Sequence, residues 1–213
     1  MKVILFGATG FVGSAIAREL IARGHEVVGV ARAASTAAPD GVTVVEGSIH
    51  DDGFVRGVSD GADAIVVAIP ARAIDGKALQ DAVPTLLDVA ADRGLRLGIV
   101  GGAGGLNVAP GGPRLVDTPE FPELYKSESL AAIGSFETLR ASNSSVDWFY
   151  LSPAAEFGSH SPGEATGIYR VGDNELVVGA DGKSYISGAD FAKAFVDEFE
   201  TPAHHRQRFT VGY

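Results

Sequence analysis

Gly7-Ala8-Thr9-Gly10-Phe11-Val12-Gly13 follows the apolar run Val3-Ile4-Leu5-Phe6 and precedes Ser14 to Arg23, whose apolar positions recur at helical spacing. Strand, glycine turn and helix in this order form a cradle for a pyrophosphate. The glycines serve separate ends: one permits a tight turn, one lets phosphates approach bare backbone, and one lets helix and strand pack closely. The free N–H groups of the first helical turn and the helix dipole then favour negative charge, so Thr9, Phe11 and Val12 join the three glycines as candidate cofactor contacts. With 28 glycines in 213 residues a chance triplet is conceivable, and a ligand-free glycine turn is the bland alternative. Position after a strand and before a helix is what raises the signal.

Outward from this stretch, strand-like and helical runs alternate. Strands are expected at Lys2 to Phe6, Glu26 to Ala31, Thr43 to Glu46, Ala64 to Ile69, Leu97 to Val100 and Asp147 to Leu151. Helices fall between them near Phe11 to Arg23, Asp52 to Val58, Lys77 to Arg93 and Ser127 to Ala141. Nearly all-apolar strands alternating with helices predict an α/β fold, a doubly wound parallel sheet of Rossmann type. Gly24 and Gly94 are placed to end helices and Asp51 to cap one, while Pro84 should kink the third long helix or mark its start. After Ser152 the character changes. Tyr169 to Val171 and Leu176 to Val178 read as a hairpin, Asp190 to Phe199 as an amphipathic helix and Arg208 to Val211 as a last strand. The expectation is a single domain over 1–213, with a small C-terminal α+β lobe over approximately 152–213 covering the substrate side.

Composition narrows the function. The chain is 46% hydrophobic, and no run approaches the ~18 apolar residues of a membrane span. Met1 to Phe6 is too short for a secretory h-region, so a cytoplasmic protein that does not engage membranes is expected. The absence of cysteine excludes disulfides, thiolate nucleophiles and cysteine-held zinc or iron–sulfur sites. A formal charge of −10 argues against a nucleic-acid surface. Adjacent His204 and His205 suit a metal poorly without a third ligand and read as a solvated turn, and Ser152, Ser159, Asp190 and the histidines form no Gly-x-Ser-x-Gly elbow for a hydrolase.

Ligands of open α/β sheets lie beyond the carboxyl ends of the strands, which makes those ends the candidate site. The second strand ends in Ala31-Arg32, without the acidic residue that grips the ribose of NAD. Arg32 can pair with a 2′-phosphate, with Ser35 as a second donor, so NADP(H) is favoured over NAD(H); a solvated surface arginine is the alternative. Ser48 and Ile49 can meet the adenine, or simply form a capping turn. Ala68, Ile69 and Pro70 leave room for a ribose, or form a plain strand exit. In Val100-Gly101-Gly102-Ala103-Gly104-Gly105 the density of glycine points to close approach by the backbone, with a nicotinamide ring the natural ligand and a surface loop the competing account. Ser152, Pro153 and Ala154 can close over the same end, or simply turn the chain. Phe157, Tyr169 and Trp148 are candidate walls of an acceptor pocket, though Trp148 in a strand also fits the core, and Phe191, Phe195 and Phe199 read as core.

The glycine turn, Val100 to Leu106, Leu115-Val116-Asp117-Thr118-Pro119, Trp148 to Ala155 and the ending Arg208 to Tyr213 together resemble the atypical short-chain dehydrogenase/reductases. Within them the chain is most similar to the NAD(P)H-binding group named for NADH-flavin reductases, relatives of biliverdin reductase B and NmrA-like proteins. The resemblance implies a Rossmann core, a nicotinamide cofactor and reduction of a flavin or quinone. One departure is plain: no Tyr-x-x-x-Lys pair exists, and Ala103 occupies the place of a catalytic serine. Alcohol dehydrogenation is thereby disfavoured. Hydride transfer to a flavin needs ring positioning more than a dedicated acid. Tyr125 and Lys126 are the candidates for donating a proton or holding a ribose, although adjacent helical residues point in different directions. The leading reading is an NADPH-dependent reductase of a planar acceptor. A non-catalytic NADP-binding sensor is the alternative, and a sugar epimerase or dehydratase the third.

Overall fold

In β1 (Lys2–Phe6), Val3 and Leu5 enter one hydrophobic core while Ile4 and Phe6 enter another, and all four are buried. A strand apolar on both sides must be covered on both faces, and it is. α1 (Phe11–Ala22) and α5 (Gly188–Glu200) cover the Val3 face, whereas α2 (Asp52–Val58), α3 (Leu79–Arg93) and α4 (Glu123–Ala141) cover the Ile4 face. The computed structural model describes residues 1–33 and 38–213.

The remaining strands are β2 (Glu26–Ala31), β3 (Val42–Glu46), β4 (Ala64–Val67), β5 (Arg96–Val100), β6 (Trp148–Ser152), β7 (Arg170–Gly172) and β8 (Gln207–Gly212). They form an eight-stranded sheet in the order β3-β2-β1-β4-β5-β6-β8-β7. Every pairing is parallel except β7 with β8. This is the doubly wound α/β fold that the alternation predicts. Chain progression reverses at β1, with β2 on one side and β4 on the other, so a crevice opens at their carboxyl ends.

The hairpin expected between Tyr169 and Val178 does not form. Arg170–Gly172 instead runs antiparallel to β8, and the Leu176 N–H donates to the Asn107 carbonyl at 2.9 Å. An isolated two-stranded ribbon is marginal in water, whereas the edge of β8 extends a sheet already held by its core. Pro84 does not mark the start of α3, which begins at Leu79 with the Ala78 N–H donating to the Asp81 carboxylate at 2.8 Å. β4 ends at Val67, two residues before the expected Ile69, and α4 starts at Glu123, ahead of Ser127.

α5 is fixed at both ends. The Ser187 hydroxyl accepts from the Asp190 N–H at 3.1 Å, and Phe195 and Phe199 each pack 4.9 Å from the Phe149 ring. The aromatic triad of α5 is core, as its spacing predicts. Near the helix end, the Arg96 guanidinium reaches Asp147 at 3.0 Å and the buried Glu198 at 2.6 Å. His204 is not solvated: it pairs with Glu198 at 2.7 Å and stacks on Phe209 at 3.8 Å between ring centroids.

Candidate functional site

The three glycines of the opening turn differ in what demands them. Gly7 has φ +91°, and a Cβ there would lie 2.3 Å from the Ala68 carbonyl oxygen. Gly13 would place a Cβ 2.0 Å from the Gly7 oxygen, so it sets the distance between α1 and the turn. Gly10 is different. Its φ of −77° suits any residue, and the nearest atom to its Cβ would be 3.5 Å away. Protein packing does not require glycine at 10, which borders both cavities described below. The first intrahelical bond is Ser14 N–H to Gly10 O at 2.8 Å, so the amides of Phe11, Val12 and Gly13 precede the helical ladder and open an anion site at its N-terminus.

Two cavities meet at Gly10 and Ala68–Pro70, on the crevice between β1 and β4. The first, about 460 Å³, runs from Gly7 and Thr9 past Val30–Arg32 to Gly47–His50 and the exit of β4. The second, about 410 Å³, extends from Phe11 and Val12 across Gly101–Gly104 to Pro153–Ala155 and α4. An elongated two-part ligand bridging a helix N-terminus fits this arrangement.

Cations rim the first cavity: Arg32, Arg72 and Lys77, with Asp75 among them. Asp75 (φ +53°) and Gly76 (φ +79°) form a tight turn closed by Ile74 N–H to Lys77 O at 2.9 Å and Lys77 N–H to Ile74 O at 3.2 Å. The turn brings Asp75 to 3.9 Å from the Arg32 guanidinium, whose side chain is 75% exposed. That contact is weak in water and leaves Arg32 available to a stronger anion. Ser48 and Ile49 both line this cavity, the Ser48 hydroxyl accepting from the His50 N–H at 3.2 Å. Burial, and then the charge of Lys77, hold the His50 imidazole below its usual range. Ser35 lies outside the described residues.

The second cavity contains Gly101, Gly102, Ala103, Pro153, Ala154 and Tyr125, but its glycines need a different account from the one their density invites. A Cβ on Gly101 would meet the Tyr150 ring at 2.1 Å, one on Gly104 would meet Ser129 at 2.5 Å, and one on Gly105 would meet Ile133 and Arg208 at 3.0 Å. The close approach is made to the protein itself. Gly102, 3.4 Å from the Ala132 methyl, is the one of the four left with ordinary space around it.

The structure separates Tyr125 from Lys126. Tyr125 lines the cavity and stacks on His160, ring centroids 5.9 Å apart at 20°, whereas Lys126 lines neither cavity and sits 3.4 Å from the Glu123 carboxylate. Ser152 is fully buried at the end of β6 and also lines neither cavity; its hydroxyl has no hydrogen-bond partner among the described residues. Gly13 acts through packing and does not line the cavities. Phe157 walls the cavity, edge-on to Phe11 at 5.8 Å. Trp148 and Tyr169 do not: Trp148 is buried against Phe136, and the Tyr169 hydroxyl donates to Asp197 at 2.5 Å. Tyr150 is core as well, with its hydroxyl on the Ala132 carbonyl at 2.8 Å and its phenol pushed up to about 12 by burial.

Sequence reasoning missed Phe121, His160, Glu128, Arg72 and Lys77. The last two follow Pro70 at a strand exit, which was a signal; the others reach the cavity through tertiary packing. Glu128 joins the two halves, its carboxylate accepting from the Ala71 N–H at 2.6 Å, the Arg72 N–H at 3.3 Å and the Arg72 guanidinium at 2.9 Å.

A doubly wound sheet with a glycine turn, an open helix N-terminus and a crevice in two parts defines a dinucleotide-binding protein. The chain belongs to the NAD(P)H-binding family, whose sequence profile matches residues 7–202. A nicotinamide dinucleotide is therefore the cofactor class. The chain is similar to YwnB of Bacillus subtilis, 38% identical over 213 residues, 99% of this chain and 98% of YwnB. A Streptococcus pneumoniae structure provisionally named an NADH-flavin reductase aligns with TM-score 0.87 and 31% identity, covering 100% of this chain and 99% of that one. A Bacteroides thetaiotaomicron structure provisionally named an epimerase aligns with TM-score 0.87 and 36% identity, covering 100% and 96%. A Burkholderia pseudomallei structure provisionally named an exported protein aligns with TM-score 0.84 and 35% identity over all of both chains. Among the described residues, no helix is long and apolar enough to cross a membrane.

Proposed function

We propose that this protein is an NADPH-dependent reductase of a planar acceptor, a flavin or quinone. The observation that carries the reading is the unlike character of the two joined cavities, cationic beyond β2 and aromatic beyond β5. In this reading the pyrophosphate lies against Gly10 and the amides of Phe11 and Val12. Arg32, with Lys77 beside it, takes the 2′-phosphate. Pro153 and Ala154 border the nicotinamide end, and the acceptor lies between that end and the wall of Phe121, Tyr125, Phe157 and His160.

When bound, the reduced dinucleotide supplies a hydride; the acceptor takes it with one proton from solvent, leaving oxidised dinucleotide and a two-electron-reduced acceptor. Ring positioning and exclusion of water are what the chain contributes. The missing Tyr-x-x-x-Lys pair is no obstacle to this chemistry and weighs against epimerase or dehydratase activity. A cytoplasmic location belongs to the same reading, since reduced dinucleotides are held inside cells.

The test follows absorbance at 340 nm with NADPH or NADH, with and without riboflavin, FMN or menadione. Acceptor-dependent oxidation of NADPH supports the reductase. Tight NADPH binding with no turnover on any acceptor supports the sensor, and a strong preference for NADH overturns the cofactor assignment.

A further inference from the structure

We infer that the acceptor site selects uncharged planar rings, a quinone or a flavin without its phosphate, and discriminates against the phosphorylated flavin. The inference deepens the reductase reading and rests on it for turnover, though not for binding.

The described lining of the acceptor cavity contains no lysine or arginine, and its one carboxylate is Glu128. Arg72, which pairs with Glu128 at 2.9 Å, belongs to the cofactor cavity. The loop and helix start that supply Leu115, Phe121 and Tyr125 carry Asp117, Glu120, Glu123 and Glu128 against a single cation, Lys126. Lys126 sits on Glu123 at 3.4 Å, and the preceding Arg114 on Asp117 at 2.7 Å. On the opposite wall, Ala155 and Phe157 line the cavity, whereas Glu156 lines a separate one with Lys183. His160 is the remaining titratable group there, its ring face taken by Tyr125.

A phosphate ester carries about −1.5 to −2 charges at pH 7 and needs arginines, lysines or open amides to leave water. The cofactor half provides the arginines and lysine, and the open amides of Phe11 and Val12, at the junction of the two halves, are taken by the cofactor's pyrophosphate in the proposed reading. The acceptor half provides aromatic faces, one lining carboxylate and no lining lysine or arginine, so a ring stacks there while an attached phosphate finds no cation to leave water for. The apolar ring contributes the affinity, and the field around it sets the selectivity.

The experiment compares riboflavin, FMN and menadione at saturating NADPH, in about 10 mM and about 150 mM salt, with parallel titration of riboflavin and FMN fluorescence against the NADP⁺ complex. The expected result is a kcat/KM and an affinity at least tenfold better for riboflavin than for FMN at low salt. The FMN values should improve about threefold at the higher salt, where the Debye length is ~8 Å, and the riboflavin values should stay constant. Glu123→Lys, an exposed change off the cavity, should narrow the FMN deficit about threefold without altering riboflavin. FMN equal to or better than riboflavin in the binding titration overturns the inference. If riboflavin binds at least tenfold tighter than FMN yet no acceptor oxidises NADPH, the reductase reading fails and the charge selectivity stands.

Discussion

Alanine at Gly10 and at Gly13 should fail in opposite ways, because one glycine makes room for a ligand and the other for the protein. A methyl at 13 would sit 2.0 Å from the Gly7 oxygen and 2.7 Å from the Gly7 carbonyl carbon, with backbone on both sides. Relief requires α1 to move off the turn by more than 1 Å. Overpacking of this kind costs about 3 kcal/mol, which in a chain of this size lowers Tm by roughly 6–12 °C. The same shift misaligns the amides of Phe11 to Gly13.

At Gly10 the backbone is already in an ordinary extended conformation, and the added Cβ meets the Gly7 oxygen at an unremarkable 3.5 Å. A modest loss from replacing a favoured N-cap residue is offset by about 0.4–1 kcal/mol of unfolded-state entropy, so Tm should stay within about 2 °C of wild type. The methyl nonetheless projects about 1.5 Å into the junction of the two cavities. A pyrophosphate held off by that distance loses at least one charge-assisted hydrogen bond of about 1.5–3 kcal/mol, a 10- to 100-fold rise in NADPH Kd. Thermal melts paired with NADPH fluorescence titration separate the two substitutions. A Gly10→Ala protein that is folded and binds NADPH within twofold of wild type would refute the placement of the pyrophosphate and the functional reading built on it.

Arg32→Ala should weaken NADPH binding about tenfold, the low end for a charge-assisted pair at an exposed site, and leave NADH unchanged. Equal effects on both dinucleotides would dissociate Arg32 from the 2′-phosphate. Tyr125→Phe keeps the stack on His160 and should hold kcat within about twofold, as should Lys126→Ala; a general acid would lose about 10²-fold or more, with a changed pH profile. For stability, burial tends to raise the Glu198 carboxyl, but hydrogen bonds from His204, Arg96 and the His204 and Ala203 amides outweigh it and set the group below its ordinary 4.5. A depressed carboxyl contributes stability that is full above the unfolded value and fades as pH falls through the folded one. Glu198→Gln should therefore cost about 3 kcal/mol at pH 7 and flatten the acid limb below about pH 4.5, measured by urea unfolding across pH. An acid limb identical to wild type would remove Glu198 from the account.

The parts of this protein legible in sequence are those fixed by neighbours in the chain. Val3 to Phe6 is apolar at every position, which one covered face cannot satisfy, so a doubly covered sheet follows from four residues. The Gly7 to Gly13 turn is partly local, since Gly13 is constrained by the Gly7 carbonyl, although Gly7 itself is constrained by the distant Ala68 carbonyl. What sequence hid depends on contacts between distant segments. Nothing in Arg170–Gly172 announces that β8 is its partner, and the turn between the two candidate strands made the wrong pairing attractive. Composition showed that backbone beyond β5 must be approached closely, but not by what; the answer is Tyr150, Ser129, Ile133 and Arg208. His160 joins Tyr125 across 35 positions of chain, and no period links them.

That correction changes what the region beyond β5 can be asked to do. Had all its glycines served a nicotinamide, their replacement would report on the cofactor. Because Gly101 and Gly104 accommodate Tyr150 and Ser129, they fix α4 against the sheet, and α4 in turn carries Tyr125 and Glu128 into the acceptor half. Glu128 then anchors Ala71 and Arg72 at the exit of β4, in reach of the cofactor half. The two halves are thus mechanically joined by one carboxylate, one half rimmed by arginine and lysine and the other lined by neither. On the proposed reading, a site built this way reads one ligand by its phosphates and the other by its ring, and keeps each out of the other's place without a dedicated catalytic acid.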